Sequence, residues 1–356
     1  MKIYQMTPSI SHGDAVSNDV LAIDAVIRQM GIPTGIYAES VAEKVKGRAA
    51  SWSEMAPQKE DILIYHQAIG NDMCLWLKDF PCRKIMVYHN ITPPHFFREY
   101  SKQTQWATAY GLECTRKMAS YIDYCLADSE FNKQDLLRMG YTCPIDVRPV
   151  LIPYEDYRRE PDAKTLEKYD DDFINILFVG RVAPHKKQED IIRAFCYYHR
   201  NLNPKSRLFL VGSDGGMENY SEALREYARD LGLEDAVLFR GHVSFPEILA
   251  YYHLADLFLC MSEHEGFCVP LIEAMLFDVP VMAYESTAIP YTLGGRGILL
   301  KDKNPVFVGK LMERVLQDPS LKARIIAGQA RRLEDFSYDN VRTLLVRLLQ
   351  KFMAQG

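Results

Sequence analysis

At 356 residues, 48% of them hydrophobic and 25% charged, the chain has the length of two domains and the composition of an ordinary globular protein. A formal net charge of −5 with no Lys/Arg block excludes a dedicated nucleic-acid binder, and no apolar run approaches the roughly 20 residues that span a bilayer. The eight cysteines form no C-x-x-C pair and several sit in apolar runs, so they read as reduced core residues of a cytoplasmic protein.

Strand-like runs alternate with helical patterns throughout, which predicts parallel sheets covered by helices on both faces. In the first half, strands are expected over 2–6, 34–38, 61–67, 84–90, 124–128 and 146–150. The opening strand is too short for a secretory apolar core. Helices fit over 14–30 and 105–121, and Ser129-Glu130-Phe131-Asn132-Lys133 starts a third, with Asp128 or Ser129 as N-cap. Ser11-His12-Gly13-Asp14-Ala15 joins the first strand to the first helix, and Gly13 suits the turn there. His89, in Val87-Tyr88-His89-Asn90, ends a buried strand and on its own reads equally as a satisfied core residue. Phe96 to Lys102, with Trp106 nearby, is a basic-aromatic stretch that reads as surface plus core before it reads as a membrane-facing strip. Residues 154–172 are polar, charged and interrupted by Pro161, the composition of a linker.

A second series of strands is expected over 175–179, 207–211, 236–240, 256–261, 279–284 and 297–300. Helices over 188–200, 220–231 and 246–253 separate them, and helical segments follow from 305 to about 352. Two stretches carry chemistry. After the strand 175–179 come Gly180-Arg181-Val182-Ala183-Pro184-His185-Lys186, at the edge of a parallel sheet where ligands bind. A fork-shaped guanidinium and a point-charge ammonium on one loop suit a diphosphate, although a solvated basic loop looks the same. The other stretch runs from Ser262 to Met275. Pro270 fits a first helical turn, so Glu265 falls in the strand-to-helix loop and Glu273 inside the helix. The peptide N–H groups of Gly266, Phe267, Cys268 and Val269 then face the helix mouth, where the dipole favours an anion. Two carboxylates beside an anion cradle suit a ligand that is part phosphate and part polyhydroxyl, a sugar nucleotide.

These motifs, together with Val211-Gly212-Ser213-Asp214-Gly215-Gly216 and Phe239-Arg240-Gly241-His242-Val243, resemble in order and spacing the retaining glycosyltransferases of family 4. The resemblance is strongest over about 174–300. It implies an α/β GT-B fold, two doubly wound Rossmann-like domains facing across a cleft. Residues 1–160 would bind the acceptor, completed by a helix over about 338–356, and residues 161–337 would bind the donor. By the same resemblance Arg181 and Lys186 grip the donor diphosphate, and Glu273 takes the ribose hydroxyls. Glu265 lies at the transferred sugar, ringed by the amides of Phe267, Cys268 and Val269. His242 and Val243 touch the base, Gly212 leaves room for the nucleotide, Gly13 approaches the diphosphate, and His89 faces the donor sugar. Ser129 matches a serine near the cleft.

Three departures from the family pattern stand out: one glycine, Gly13, in place of two; Cys268 at a frequent glycine; and Tyr291 where glutamate often follows the proline. The implied activity is metal-independent transfer of a hexose, without cofactor, from GDP-mannose or a UDP-hexose. The acceptor would be a glycan or lipid-linked glycan in bacterial surface polysaccharide synthesis, with peripheral contact at the inner membrane face. A non-catalytic sugar-nucleotide-binding protein and a GT-B sugar-nucleotide epimerase are the alternatives. The absence of G-x-G-x-x-G at the first helix speaks against a dehydrogenase.

Overall fold

The computed structural model describes residues 1–11 and 13–355, so His12 of the first glycine loop lies outside the described residues. The chain divides into two compact units: Met1–Pro94 with Gln103–Pro153 and Asp335–Gly356, and His95–Lys102 with Tyr154–Glu334.

The first unit is built on β1 (Ile3–Ile10), β2 (Thr34–Val41), β3 (Ala49–Ser51), β4 (Ile62–Gln67), β5 (Arg83–Tyr88), β6 (Tyr124–Ala127) and β7 (Ile145–Val147). They form one parallel sheet in the order β3-β2-β1-β4-β5-β6-β7. Period-two alternation puts Ile3, Ile62, Ile64, Ile85 and Val87 on one face and Tyr4, Met6, Leu63, Tyr65 and Met86 on the other, each in its own core. Apolar residues on both faces are what a sheet covered by helices on both sides requires. The helix Tyr338–Met353 closes the first of these cores with Val341, Leu345, Leu349 and Phe352.

The second unit is built on β8 (Ile174–Val179), β9 (Ser206–Val211), β10 (Val237–Gly241), β11 (Leu257–Cys260), β12 (Val281–Tyr284) and β13 (Ile298–Leu300). These make a parallel sheet in the order β10-β9-β8-β11-β12-β13. In each sheet the winding reverses beside the first strand, at β1/β4 and at β8/β11. Such switch points open a crevice at the carboxyl ends of the strands.

The expected linker is folded. Tyr154–Arg158 forms a 3-10 turn and Ala163–Tyr169 a helix, capped by Asp162, whose Oδ2 accepts from the Thr165 N–H at 2.8 Å. Buried Tyr169 docks edge-on against Phe209, which anchors that helix despite its charge. Residues 95–102 and 154–160, read from sequence as part of the first half, belong to the second unit. Phe96 and Phe97 set their rings 6.1 and 5.8 Å from that of His185; Phe97 is buried, Phe96 and Tyr100 are half-buried, and Trp106 is 65% exposed, so the stretch is part core and part surface. Strand β3 was missing from the sequence reading because three residues carry too little periodicity to register. All eight cysteines carry free thiols, and Cys143 and Cys196 alone among them are only half-buried. Among the described residues no helix is long and apolar enough to cross a membrane.

Candidate functional site

The loops after β8 and β11 leave the second sheet side by side at its switch point, since Leu257 pairs with Ile176 and Phe258 with Leu177. The first loop turns at Gly180, runs through the 3-10 turn Pro184–Lys186, and passes Lys187 in a left-handed conformation into the helix Gln188–Asn201. The second loop enters the helix Val269–Leu276 through Cys268, also left-handed at φ 71°. Pro270 sits in that helix's first turn, as its sequence position requires.

The second loop is fastened from three sides. The Glu263 N–H donates to the His185 carbonyl at 2.8 Å, joining it to the first loop. The Ser286 hydroxyl donates to the Ser262 carbonyl at 2.6 Å, and the Thr287 hydroxyl accepts from the Glu265 N–H at 2.8 Å. The Thr292 hydroxyl donates to the Phe267 carbonyl. A loop held at this many backbone points presents its side chains in fixed positions.

Lys186 and Glu265 meet at the centre. The ammonium lies 2.6 and 2.7 Å from the two carboxylate oxygens, with the side chains 18% and 8% exposed. Burial works to lower the Lys186 pKa, but the Glu265 charge and hydrogen bond, helped by Cys268, outweigh it and hold the amine above its ordinary value. Arg181 does not join this pair. It is exposed, and its Nη2 donates to the Gly215 carbonyl at 2.6 Å in the loop after β9.

Glu273, one helical turn beyond the mouth, is claimed by two tyrosines. The hydroxyls of Tyr157 and Tyr252 each donate to one of its oxygens at 2.6 Å. Burial raises the Glu273 pKa above the usual carboxylate value, and the two hydroxyls oppose that rise. Each oxygen keeps a second lone pair free for a further donor.

Gly212 has a structural reason of its own. A Cβ there would come within 2.0 Å of the Gly180 carbonyl oxygen, so the glycine lets two loops touch rather than leaving a space. His242 is exposed and Val243 half-buried, on the turn between β10 and the helix Phe245–Leu254. Gly266 and Val269 are half-buried, and Phe267 and Cys268 are buried.

In the first unit, Gly13 is exposed at φ 93° with open space where a Cβ would go, and Asp14 caps the following helix by accepting from the Ser17 N–H at 2.9 Å. His89 is not free to face a sugar through a ring nitrogen, because both are engaged. Nδ1 lies 2.9 Å from Asp128 Oδ2 and Nε2 lies 3.1 Å from His66 Nδ1. Ser129, of the two candidates Asp128 and Ser129, caps the following helix, accepting from the Asn132 N–H at 3.3 Å.

Among the described residues two groups have the donor atoms and spacing for a metal ion: Cys260 with Glu265 and Cys268, and Asp19 with His66 and His89, each set within 4.8 Å. In both, a protein cation already meets the carboxylate. Lys186 holds both oxygens of Glu265, and Arg148 holds both oxygens of Asp19 at 2.8 and 2.6 Å.

The stretch that contains both loops, residues 159–332, matches the family described as Glycosyl transferases group 1. Within the second unit, this stretch is similar to the group 1 glycosyltransferases. A D-inositol 3-phosphate glycosyltransferase of Acidothermus cellulolyticus is 29% identical over 171 residues, 46% of this chain and 38% of that protein. The serotype-specific mannosyltransferase WbdA of Escherichia coli is 27% identical over 206 residues, 55% of this chain and 24% of that protein. The chain thus spans well under half the length of the curated relatives it matches. Anabaena HepE, solved in complex with UDP-glucose, superposes with a TM-score of 0.77 over 99% of this chain and 100% of that one, at 17% identity. The fold class is therefore α/β of the GT-B kind, with two doubly wound units.

Within the second unit, sequence reasoning missed Tyr157, Tyr252, Ser286, Thr287 and Thr292. Tyr252 sits in the apolar run Ile248 to Leu254 and reads as core, and Tyr157 lies in the stretch taken for a linker. No spacing rule ties either to Glu273, which lies 116 and 21 residues away.

Proposed function

We propose that this protein is a retaining glycosyltransferase of family 4 that moves a hexose from a nucleotide-diphosphate sugar to a glycan or lipid-linked glycan. The observation that carries the reading is the buried Lys186–Glu265 pair at the β8/β11 switch point, within the stretch that matches the group 1 family. Lys186 and Arg181 bind the diphosphate. Charge stabilisation of that leaving group is the main source of rate, and no metal is needed for it. The amides of Gly266, Phe267, Cys268 and Val269 take the phosphate and sugar oxygens, and Glu265 orders the sugar side of the site. Glu273 accepts from the ribose hydroxyls with the lone pairs its tyrosines leave free. His242 and Val243 meet the base through their backbone.

UDP-glucose bound to HepE favours a UDP-hexose donor, and the mannosyltransferase relative favours GDP-mannose. Surface polysaccharide is the product class, and a lipid-linked acceptor brings the protein to the inner membrane face. The deciding experiment incubates the protein with UDP-glucose, UDP-galactose, GDP-mannose and ADP-glucose and measures nucleoside diphosphate release, with and without glycan acceptors. Acceptor-dependent release from one donor is expected. Tight binding with no release under any pairing would instead mark a non-catalytic sugar-nucleotide binder.

A further inference from the structure

Five adjacent strands of the first sheet each lend one polar residue to a single buried chain. Its order follows the sheet: Gln5 on β1, His66 on β4, His89 after β5, Asp128 after β6 and Arg148 after β7. Gln5 Oε1 lies 3.0 Å from His66 Nε2, and His66 Nδ1 lies 3.1 Å from His89 Nε2. His89 Nδ1 lies 2.9 Å from Asp128 Oδ2, and Asp128 Oδ1 accepts from Arg148 at 3.3 Å. Arg148 then grips Asp19 with two hydrogen bonds, and Asp19 Oδ1 also accepts the Leu151 N–H at 2.9 Å. Gln5, His66, Asp19 and Arg148 are fully buried, and the side chains of His89 and Asp128 are 4% exposed.

Charge and hydrogen-bond direction together fix the protons. Asp19 and Asp128 bring two negative charges and Arg148 one positive, so neutral imidazoles would leave a buried carboxylate uncompensated, a costly state. With Gln5 presenting its oxygen, His66 must donate from Nε2. If both rings were neutral and His89 donated to Asp128, two bare nitrogens would face each other at 3.1 Å. One extra proton repairs both faults. Reversing the Gln5 amide would also complete the hydrogen bonds, since Gln5 Nε2 has no partner as oriented, but it leaves the charge uncompensated.

We propose that His89 is held as an imidazolium by Asp128, with Asp19, Arg148, His66 and Gln5 as its positioning residues. The titratable and charged groups facing it are Asp128 and His66 directly and Asp19 and Arg148 behind them. Burial works against the charge on His89, but Asp128 and Asp19 more than offset it and raise its pKa, whereas burial drives His66 well below the ordinary histidine value. With that proton Asp19, Asp128, Arg148 and His89 sum to zero, so the carboxyl edge of the first sheet carries a balanced buried cluster rather than an uncompensated carboxylate.

The test is a pH titration of the full-length protein labelled with 15N-histidine, following the ring nitrogens of His89 and His66 against histidines of the same chain in denaturant. His89 is expected to stay doubly protonated to higher pH than the denatured reference while His66 keeps one bare nitrogen, and Asp128→Asn is expected to move the His89 midpoint downward. A wild-type His89 that titrates at or below the reference, as the reversed Gln5 amide requires, overturns the proposal even if the variant fails to fold. The titration uses no substrate, so its result is separate from the glycosyl-transfer reading.

Discussion

Lys186 and Glu265 share a two-pronged contact, one ammonium against both carboxylate oxygens, on adjoining loops of a single sheet. Glu265→Ala leaves that ammonium half-buried without a partner and should cost about 3 kcal/mol in urea unfolding while abolishing sugar transfer. Glu265→Gln keeps one acceptor oxygen and should lose less stability but the same activity. The pair also sets an alkaline limit. Because the folded amine is held above its ordinary 10.5, its stabilisation is complete below that value and disappears as pH climbs through the folded pKa. Unfolding midpoints recorded across the alkaline range should show the loss, and Lys186→Met should flatten it.

Tyr252→Phe and Tyr157→Phe each remove a hydrogen bond to a buried carboxylate, and each should cost about 2 kcal/mol near neutral pH. The Glu273 pKa is already raised above its ordinary 4.5, so ionising it burdens the folded state. That burden is absent below about 4.5 and grows as pH rises through the interval up to the folded value. Either variant should widen the interval, so mutant and wild type should differ least at low pH. Under the proposed role of Glu273 at the ribose, donor KM should rise in both variants more than kcat falls.

Arg181 separates binding from folding. Its side chain is exposed, with the guanidinium bonded to the Gly215 carbonyl, and contributes little to stability, so Arg181→Ala should unfold within about 0.5 kcal/mol of wild type. Under its proposed role at the diphosphate it should nonetheless carry about a 10²- to 10³-fold share of turnover. Wild-type turnover in this variant would remove it from the site.

Two glycines that look alike in sequence should behave differently. Gly212→Ala drives a methyl group onto the Gly180 peptide and should cost at least about 3 kcal/mol or prevent folding. Gly13→Ala meets open space and should pay only for its left-handed backbone, about 1–2 kcal/mol. Thermal unfolding of the two variants makes the comparison.

The sheets were legible because their strands are nearly continuous apolar runs, and a run such as Leu257 to Cys260 cannot be much else between turn signals. The 154–172 stretch misled because its anchors are single residues, Tyr169 under the helix and Asp162 at its cap, against a background of charge. At the site, motif spacing pointed to Lys186, Glu265 and Glu273, since the loops that carry them are short and local. What those side chains touch was not legible. The Lys186–Glu265 contact spans 79 residues and the Tyr157–Glu273 contact 116, and no local pattern encodes pairs at such separation. His89 shows the same limit: its strand-end position was plain, but its partners come from two neighbouring strands that only the sheet order brings together.

The helix Tyr338–Met353 has a consequence for how the polypeptide matures. The core that holds Ile3, Ile62 and Ile85, to which the helix Ala15–Gln29 adds Ile23, Val26 and Ile27, stays incomplete until Leu345 and Leu349 arrive. On a ribosome, which releases the chain from its amino end, the second unit therefore has all its parts before the first does. The earlier-made half must wait, part-assembled and sticky, for a segment translated some two hundred codons after its own β7.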